Sequence, residues 1–268
     1  MSFNTTDYLL ILLSCALFWE FNKTKGAVSV NGNYRLVQNF FLYVLVWLIQ
    51  WSLVELGVFK LIEEVTFERY SLISYFEQID DTTLLNASLF LIAFMLIDLL
   101  YYGIHRLFHH YRHLWCWHLV HHTDVQLDIS SNFRHHPIEV LLVTLLGFLF
   151  FIVLPIDSKI LLTYAYIALV IQVWHHSNFF LNKNIDKYLR IIIVTPSVHH
   201  IHHSPMKPFT NCNYGAIFTF WDRLFSSYCS PSHSVPKGVY GLEYFRQDHQ
   251  TTLMLLYQPI VYLFKRNK

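Results

Sequence analysis

Long apolar runs separated by short polar segments dominate this chain, and their lengths predict membrane-spanning helices. A helix needs about 20 residues to cross the apolar part of a bilayer. The runs 36–59 and 84–104 meet that length, and each contains one charged residue, Glu55 and Asp98 respectively. The run 8–19 is a marginal span. We therefore expect at least two full spans in this part of the chain.

Two further apolar runs, 138–154 and 160–174, are joined by Pro-Ile-Asp-Ser at 155–158. Each is shorter than a full span, and the turn between them is brief. The pattern predicts a tight helical hairpin that either crosses a thin region of the bilayer or enters it only partway. Counting the hairpin, we expect an all-α, polytopic membrane protein with about four transmembrane helices.

The charges between these runs predict the orientation of the chain. Lys23, Lys25 and Arg35 lie in the segment 20–35, whereas the segment 60–81 is mostly acidic. Cytoplasmic loops carry an excess of Lys and Arg, so we expect 20–35 inside and 60–81 outside. The next span then delivers His105 to the cytoplasm, and the hairpin returns His175 to the same side.

The composition supports a membrane protein and excludes other classes. Apolar residues make up 54% of the chain and charged residues only 14%, against about 25% charged in soluble domains. The net charge is +1 with no long basic run, so nucleic acid is not expected as a partner. The four cysteines are dispersed and predict no disulfide framework. The run 8–19 resembles a signal anchor more than a cleaved signal peptide.

Histidine is the residue that suggests chemistry, because 15 of the 17 histidines lie between His105 and His203. They fall into spaced groups, including HLVHH at 118–122 and HHIHH at 199–203. Positions i, i+3 and i+4 share one face of a helix, so each HxxHH box is expected to aim three imidazoles at one point. A structural zinc needs four ligands, so eight or nine imidazoles suffice for two ions.

The kind of metal stays open at this level. Imidazole binds zinc, copper, iron and nickel, and the HExxH motif of zinc proteases is absent from the sequence. A contiguous flexible chelating tract does not fit, since these histidines lie in apolar and aromatic sequence. Isolated histidines such as His113, His233 and His249 are ordinary polar residues in this interpretation.

Four further residues are candidates for the surroundings of the metal or the substrate side. Asp98, Tyr102 and His105 line one helical stripe, and Asp98 is expected to accept the second ring N–H of a histidine from another box. The alternative for Asp98 is a hydrogen bond that only packs helices. Arg134 and His136, in the sequence NFRHHPIE, are candidates to contact substrate, and Arg134 could hold a lipid head group or a phosphate.

The end of that sequence also has a structural interpretation. Pro137 is expected at the start of a helix because its fixed φ suits that position. Glu139 then lies near the helix N-terminus, where a negative charge is favourable. That location is a sufficient reason for Glu139 without catalysis.

From about Asp98 to Phe245 the chain resembles the sterol desaturase and fatty acid hydroxylase superfamily. The resemblance rests on motifs in matching order and spacing: HRxxH at 105–109, LWxxHxVHH at 114–122, RxHPxE at 134–139, HHSN at 175–178, VTPxxHxxHHS at 194–204, NYG at 213–215 and WDRLF at 221–225. One departure is Ser226-Ser227, where the superfamily usually has Gly-Thr.

The resemblance implies a helical membrane anchor beneath a cytoplasmic helical cap that holds a di-iron centre ligated only by histidine. We expect an anchor at 1–95, a catalytic domain at 96–250 and an amphipathic C-terminal tail at 251–268. His110, His135 and His200 are neighbours that could substitute in the ligand shell, and the superfamily pattern favours His176 over His175. The implied ligands are His105, His109, His118, His121, His122, His176, His199, His202 and His203.

The resemblance also implies the reaction. Two iron ions and O₂ would hydroxylate or desaturate a C–H bond of a membrane lipid, with electrons from a separate reductase or a cytochrome- or ferredoxin-type donor. The expected location is the bacterial inner membrane or the endoplasmic reticulum, with the active site on the cytoplasmic side. The alternatives are a non-redox metal-dependent hydrolase and a metal transporter. A transporter would need more ionisable residues within its spans than Asp98 and Glu55.

Overall fold

The computed structural model describes residues 32–57, 60, 83–154, 156, 158–231, 239–245 and 250–264. Within these ranges the fold is all-helical, with one isolated bridge between Ile193 and Phe218 and no strands. The marginal span at 8–19 and the charged segments used for orientation lie largely outside the described residues.

Ten α-helices follow one another along the described chain, with 3₁₀ turns at Ile129–Phe133 and Glu243–Phe245. They are α1 Gly32–Glu55, α2 Thr83–His110, α3 Arg112–His122, α4 Pro137–Val153, α5 Ser158–His176, α6 Lys183–Leu189, α7 Pro196–His202, α8 Lys207–Thr210, α9 Phe220–Leu224 and α10 Thr252–Phe264.

Two helices, α1 and α2, are long and apolar enough to cross a membrane. Helices α4 and α5 form the predicted pair on either side of 155–158 and begin and end within two residues of the predicted runs. The main difference is α2, which continues six residues beyond the apolar run to His110. That extension places His105 and His109 on the same rigid helix as Asp98.

Helix α3 starts only two residues after α2 ends. Tyr111 between them is extended, with φ −99° and ψ 122°, so the chain changes direction there. Helix α3 packs against α2 on one side and against α10 on another. The contact with α10 is apolar: Cys116, Leu119 and Val120 pack with Leu255.

A second apolar cluster joins α2, α4 and α5 beneath the histidines. Phe94 and Ile97 of α2 pack with Phe151 of α4 and with Tyr164 of α5. Helix α4 begins as expected: Pro137 is its first residue and Glu139 lies in its first turn. Between them, the two clusters contain residues of three histidine-bearing helices, α2, α3 and α5.

Candidate metal centre

The structure brings the nine predicted ligand histidines together in two groups. The first, called here the five-histidine cluster, consists of His105 and His109 from α2, His118 and His122 from α3, and His202 from α7. Each contributes one ring nitrogen, and these nitrogens all lie within 4.8 Å of one another.

The second group, the four-histidine cluster, consists of His121 from α3, His176 from α5, and His199 and His203 from α7 and its C-terminal end. Its ring nitrogens lie within the same 4.8 Å limit. All four side chains are buried. His176 rather than His175 belongs to the cluster, and the ring of His175 instead stacks on His199 with centroids 3.8 Å apart.

The two HxxHH boxes divide their histidines between the clusters, so the expectation that each box aims all three at one point is wrong. His118 and His122 enter the five-histidine cluster, while His121 enters the other. His199 and His203 enter the four-histidine cluster, while His202 enters the first. Each residue turns by about 100° around the helix axis, so side chains four residues apart differ in direction by only about 40°, whereas adjacent side chains differ by about 100°. Two histidines of each box therefore point to one cluster and the third points to the other. Because each box supplies both clusters, the clusters lie next to each other.

Hydrogen bonds at Nδ1 orient several of these rings. His105 Nδ1 donates to the carbonyl of Tyr214 at 2.9 Å, and His202 Nδ1 donates to the carbonyl of Cys212 at 2.7 Å. His118 Nδ1 donates to the Glu139 carboxylate at 2.7 Å, and His176 Nδ1 donates to the carbonyl of Gln172 at 2.7 Å. A ring that donates from Nδ1 in its neutral form presents a lone pair at Nε2.

The resulting arrangement of lone pairs suits a cation. His105 Nε2 and His118 Nε2 lie 3.2 Å apart, although both rings already donate from Nδ1. Two lone pairs at this distance repel unless a positive charge lies between them. Two nitrogens bound at about 2.1 Å to one ion lie roughly 3.0–3.4 Å apart, for angles from about 90° to tetrahedral. The observed separation falls in that range.

Two further observations fit a bound metal. His109 Nε2 and His202 Nε2 are buried and have no hydrogen-bond partner among the described residues, and unpartnered buried polar atoms are rare. Burial also lowers the pKa of His122, His202 and His203 well below the ordinary value. The neutral imidazole is the form that binds metal.

Asp98 is fully buried, and none of its hydrogen-bond partners among the described residues is a histidine, which favours the packing alternative over the role of orienting a ligand. It accepts hydrogen bonds from the Tyr164 hydroxyl at 2.9 Å and from the Trp221 indole at 2.8 Å. The backbone N–H groups of Ile217 and Phe218 also donate to it. Asp98 lies two turns below His105 on α2, where the chain that leads into α9 docks.

Tyr102, Arg134 and His136, the other candidates for the surroundings of the metal or the substrate side, each make hydrogen bonds that connect elements of the fold. The hydroxyl of Tyr102 shares a hydrogen bond of 2.8 Å with Ser227. Only 2% of Arg134 is exposed, so it is not available to a head group. Its guanidinium donates to the carbonyl of Val120, to Asn39, to Thr123 and to Gln250. Arg134 therefore ties α1, the end of α3 and the approach to α10 together.

His136 caps helix α4. Its Nδ1 accepts a hydrogen bond from the backbone of Ile138 at 3.1 Å, and its Nε2 donates to the carbonyl of Leu256 at 3.3 Å. Of the other neighbouring histidines, His200 bonds Tyr240 and the carbonyl of Ser177, and His110 is exposed. Neither joins a cluster.

Glu139 contacts a histidine of the five-histidine cluster, which the sequence did not predict. It lies in the first turn of α4 as expected, and its Oε2 also caps the helix by accepting from the His136 backbone N–H. Its Oε1 accepts from His118 Nδ1 and His135 Nδ1. A carboxylate three residues after the N-cap residue, as Glu139 is after His136, is a capping signal. Nothing local indicates that α3 passes within reach of it.

The chain is similar in sequence to one family and to several known proteins. Residues 90–227 match the family model described as fatty acid hydroxylase. The chain is 29% identical over 153 residues to an alkylglycerol monooxygenase of Danio rerio, covering 56% of this chain and 32% of the relative. It is 29% identical over 142 residues to the ornithine lipid hydroxylase OlsE of Rhizobium tropici, covering 52% and 42%.

A third relative is the lathosterol oxidase of Rattus norvegicus, 29% identical over 147 residues, covering 54% of this chain and 46% of the relative. The matches thus span between about a third and a half of the length of these relatives. No solved structure matches the chain at a significant level.

Proposed function

Because this chain belongs to the fatty acid hydroxylase family, we propose that it is an integral-membrane, O₂-dependent enzyme that hydroxylates or desaturates a C–H bond of a lipid. The observation that carries the proposal is the pair of neighbouring histidine clusters, with nine ring nitrogens directed into two sites. The relatives are named for an alkylglycerol, an ornithine lipid and lathosterol. We therefore propose lipid as the substrate class without choosing one lipid.

The residues fit two iron ions, one in each cluster. Iron supplies the redox chemistry that attack on an unactivated C–H bond requires and that redox-inert zinc lacks. The chain itself supplies neutral imidazoles and fixes their direction through the carbonyls of Cys212, Tyr214 and Gln172. Tyr214 also packs against the rings of His105, His109 and His202, which shields that side of the five-histidine cluster from water.

A membrane location is supported by the outward surface of the helices. Phe41 of α1, Leu91 of α2, Leu149 of α4 and Val170 of α5 are each more than half exposed, which is costly in water. We propose that α1 and α2 span the bilayer and that α4 and α5 form a hairpin within it. The histidine clusters then lie at the cytoplasmic surface, as the loop charges predict, within reach of a separate electron donor.

Metal analysis and a lipid assay test this proposal together. After iron-supplemented expression, the purified protein is expected to hold two metal ions per chain with nitrogen-dominated coordination. Lipid turnover should require both O₂ and a reductant. One ion or none in folded protein would contradict the proposal. Turnover that continues without O₂ or reductant would instead favour the hydrolase alternative.

A single substitution tests one cluster without changing the ligands of the other. His202→Ala opens one position in the five-histidine cluster only, so we expect loss of about one ion per chain and of lipid turnover, with membrane insertion retained. His113→Ala is the matched control, because His113 lies outside both clusters. Turnover of His202→Ala within a few-fold of the parent would remove His202 from the ligands.

A further inference from the structure

Glu139 makes more contacts than a helix cap requires. One carboxylate oxygen, Oε2, accepts the capping bond from the His136 backbone. The other, Oε1, lies 2.7 Å from His118 Nδ1 and 3.0 Å from His135 Nδ1. A carboxylate can only accept, so both rings donate from Nδ1. The bond therefore fixes the His118 lone pair at Nε2, on the side of His105 and His122.

His135 in turn braces the other cluster. Its ring lies parallel to that of His121, with centroids 4.6 Å apart and 8° between the planes. His121 Nδ1 is buried and has no hydrogen-bond partner among the described residues. No hydrogen bond at Nδ1 therefore sets the rotation of the His121 ring. The rings of His176 and His203, which belong to the same cluster, meet it edge-on, and His135 is the ring from outside the cluster that lies flat against it.

His118, His135 and Glu139 are also close enough to suggest a third metal site, but the distances favour hydrogen bonds. Two atoms bound to one ion at about 2.1 Å lie about 3 Å apart or more. His118 Nδ1 and Glu139 Oε1 are closer, at 2.7 Å, which is typical of a charge-assisted hydrogen bond.

We propose that Glu139 and His135 form a positioning pair that orients one ligand of each cluster: His118 through a hydrogen bond and His121 through ring stacking. The inference rests on the proposed function, since it concerns ligands of the same two ions. It extends that function by making one carboxylate, on a helix that supplies no ligand, responsible for the geometry of both sites.

The test uses chains in which only one cluster can bind, loaded with Co²⁺ and followed by its visible absorption during transfer to a chelator. His176→Ala with His199→Ala leaves the five-histidine cluster, and His105→Ala with His109→Ala leaves the four-histidine cluster. In the first background, Glu139→Gln should release Co²⁺ about 10–100-fold faster, as typical for loss of an outer hydrogen-bond partner. This substitution keeps the size of the side chain and removes its charge.

In the second background, His135→Ala should accelerate Co²⁺ release, whereas His135→Phe, which retains a flat ring against His121, should release it near the parental rate. Asp124→Asn is the matched control: Asp124 is a buried carboxylate bonded to Arg35, Asn39 and Ser131 but to no imidazole. It should lower the melting temperature without changing Co²⁺ release.

The outcomes separate this inference from the proposed function. Failure of the unsubstituted chain to bind two Co²⁺ would contradict the proposed function. Two ions in the unsubstituted chain, with release from Glu139→Gln and His135→Ala no faster than from Asp124→Asn, would overturn the positioning pair alone. Because His135→Phe and His135→Ala differ only in the ring, a general loss of folding affects both and is recognised as such.

Discussion

At the scale of single residues, left-handed backbone occurs both in the site and beside it. Asn213, with φ +58°, lies between the carbonyls of Cys212 and Tyr214 that orient His202 and His105. Ser226, two residues after the end of α9, also has a left-handed conformation, with φ +58°. This conformation costs a residue with a side chain about 1–2 kcal/mol. The superfamily that the chain resembles usually has glycine here, which adopts it freely. The neighbouring Ser227 is unstrained and bonds both Asp222 and Tyr102.

Ser226→Gly is therefore expected to stabilise the protein. Glycine removes the conformational strain but costs about 0.5–1 kcal/mol because it makes the unfolded chain more flexible. The free energy of unfolding should therefore rise by about 0.5–1 kcal/mol. Denaturant unfolding in detergent measures it. Ser226→Ala, which keeps a Cβ, should give no gain, and Ser227→Gly should destabilise. Equal stability of Ser226→Gly and Ser226→Ala would show that the turn is not strained.

At the scale of elements, one face of α2 is hydrogen-bonded to the chain on both sides of α9. Asp98, Tyr102, His105 and His109 follow one another along this face, and each bonds a residue between 211 and 227. Gly215 lets this segment fold tightly on itself, because a Cβ there would lie 2.4 Å from the carbonyl oxygen of Phe218. Asp98 anchors the far end of this contact, and its four donors make it a packing residue.

Asp98→Asn tests that assignment. The asparagine N–H₂ would face donors that now bond a carboxylate, so we expect a loss of about 2–4 kcal/mol in unfolding free energy. Metal content and turnover per folded molecule should remain normal. Tyr164→Phe, which removes one of the donors, should cost only about 1 kcal/mol. Loss of metal from Asp98→Asn at unchanged stability would restore the role of orienting a ligand.

At the scale of the whole molecule, the proposed ions join parts of the chain that are far apart in sequence. The five-histidine cluster draws on α2, α3 and α7, and the four-histidine cluster on α3, α5 and α7. The apolar contacts beneath them are separate, with one group around α3 and α10 and another around α2, α4 and α5. Binding of two ions should therefore stabilise the arrangement of all these helices together.

Removal of metal should consequently lower the melting temperature of the purified protein. A ligand whose free concentration is 100 times its dissociation constant adds about 2.7 kcal/mol to the free energy of unfolding. For a chain of this size, that corresponds to a rise of about 5–10 °C in the melting temperature. Chelation should cause a shift of at least this size, and His202→Ala, with one cluster intact, should show about half of it. An unchanged melting temperature after complete chelation would mean that the helices are held by packing alone.

The sequence by itself determined the helical class and the positions of the four long apolar helices, because apolar run length decides α1, α2, α4 and α5. The spacing of the histidines indicated a metal site, and the resemblance to the superfamily implied which nine of them meet. The start of α4 at Pro137 was also predictable, because proline and the capping residues around it act within one turn.

Only the tertiary structure decided how the histidines divide and what supports them. Sequence spacing gives the angle between side chains of one helix but not the place where another helix crosses it, so the split of each HxxHH box could not be foreseen. The same reason explains Arg134, His136 and Asp98, which are polar residues near the histidines in sequence that bond α1, α10 and the segment before α9. Glu139 differs from these residues. Its place in the first turn of α4 could be predicted from the local sequence. Its contact with His118 could not, because it arises where α3 and α4, 21 residues apart at these positions, pack side by side.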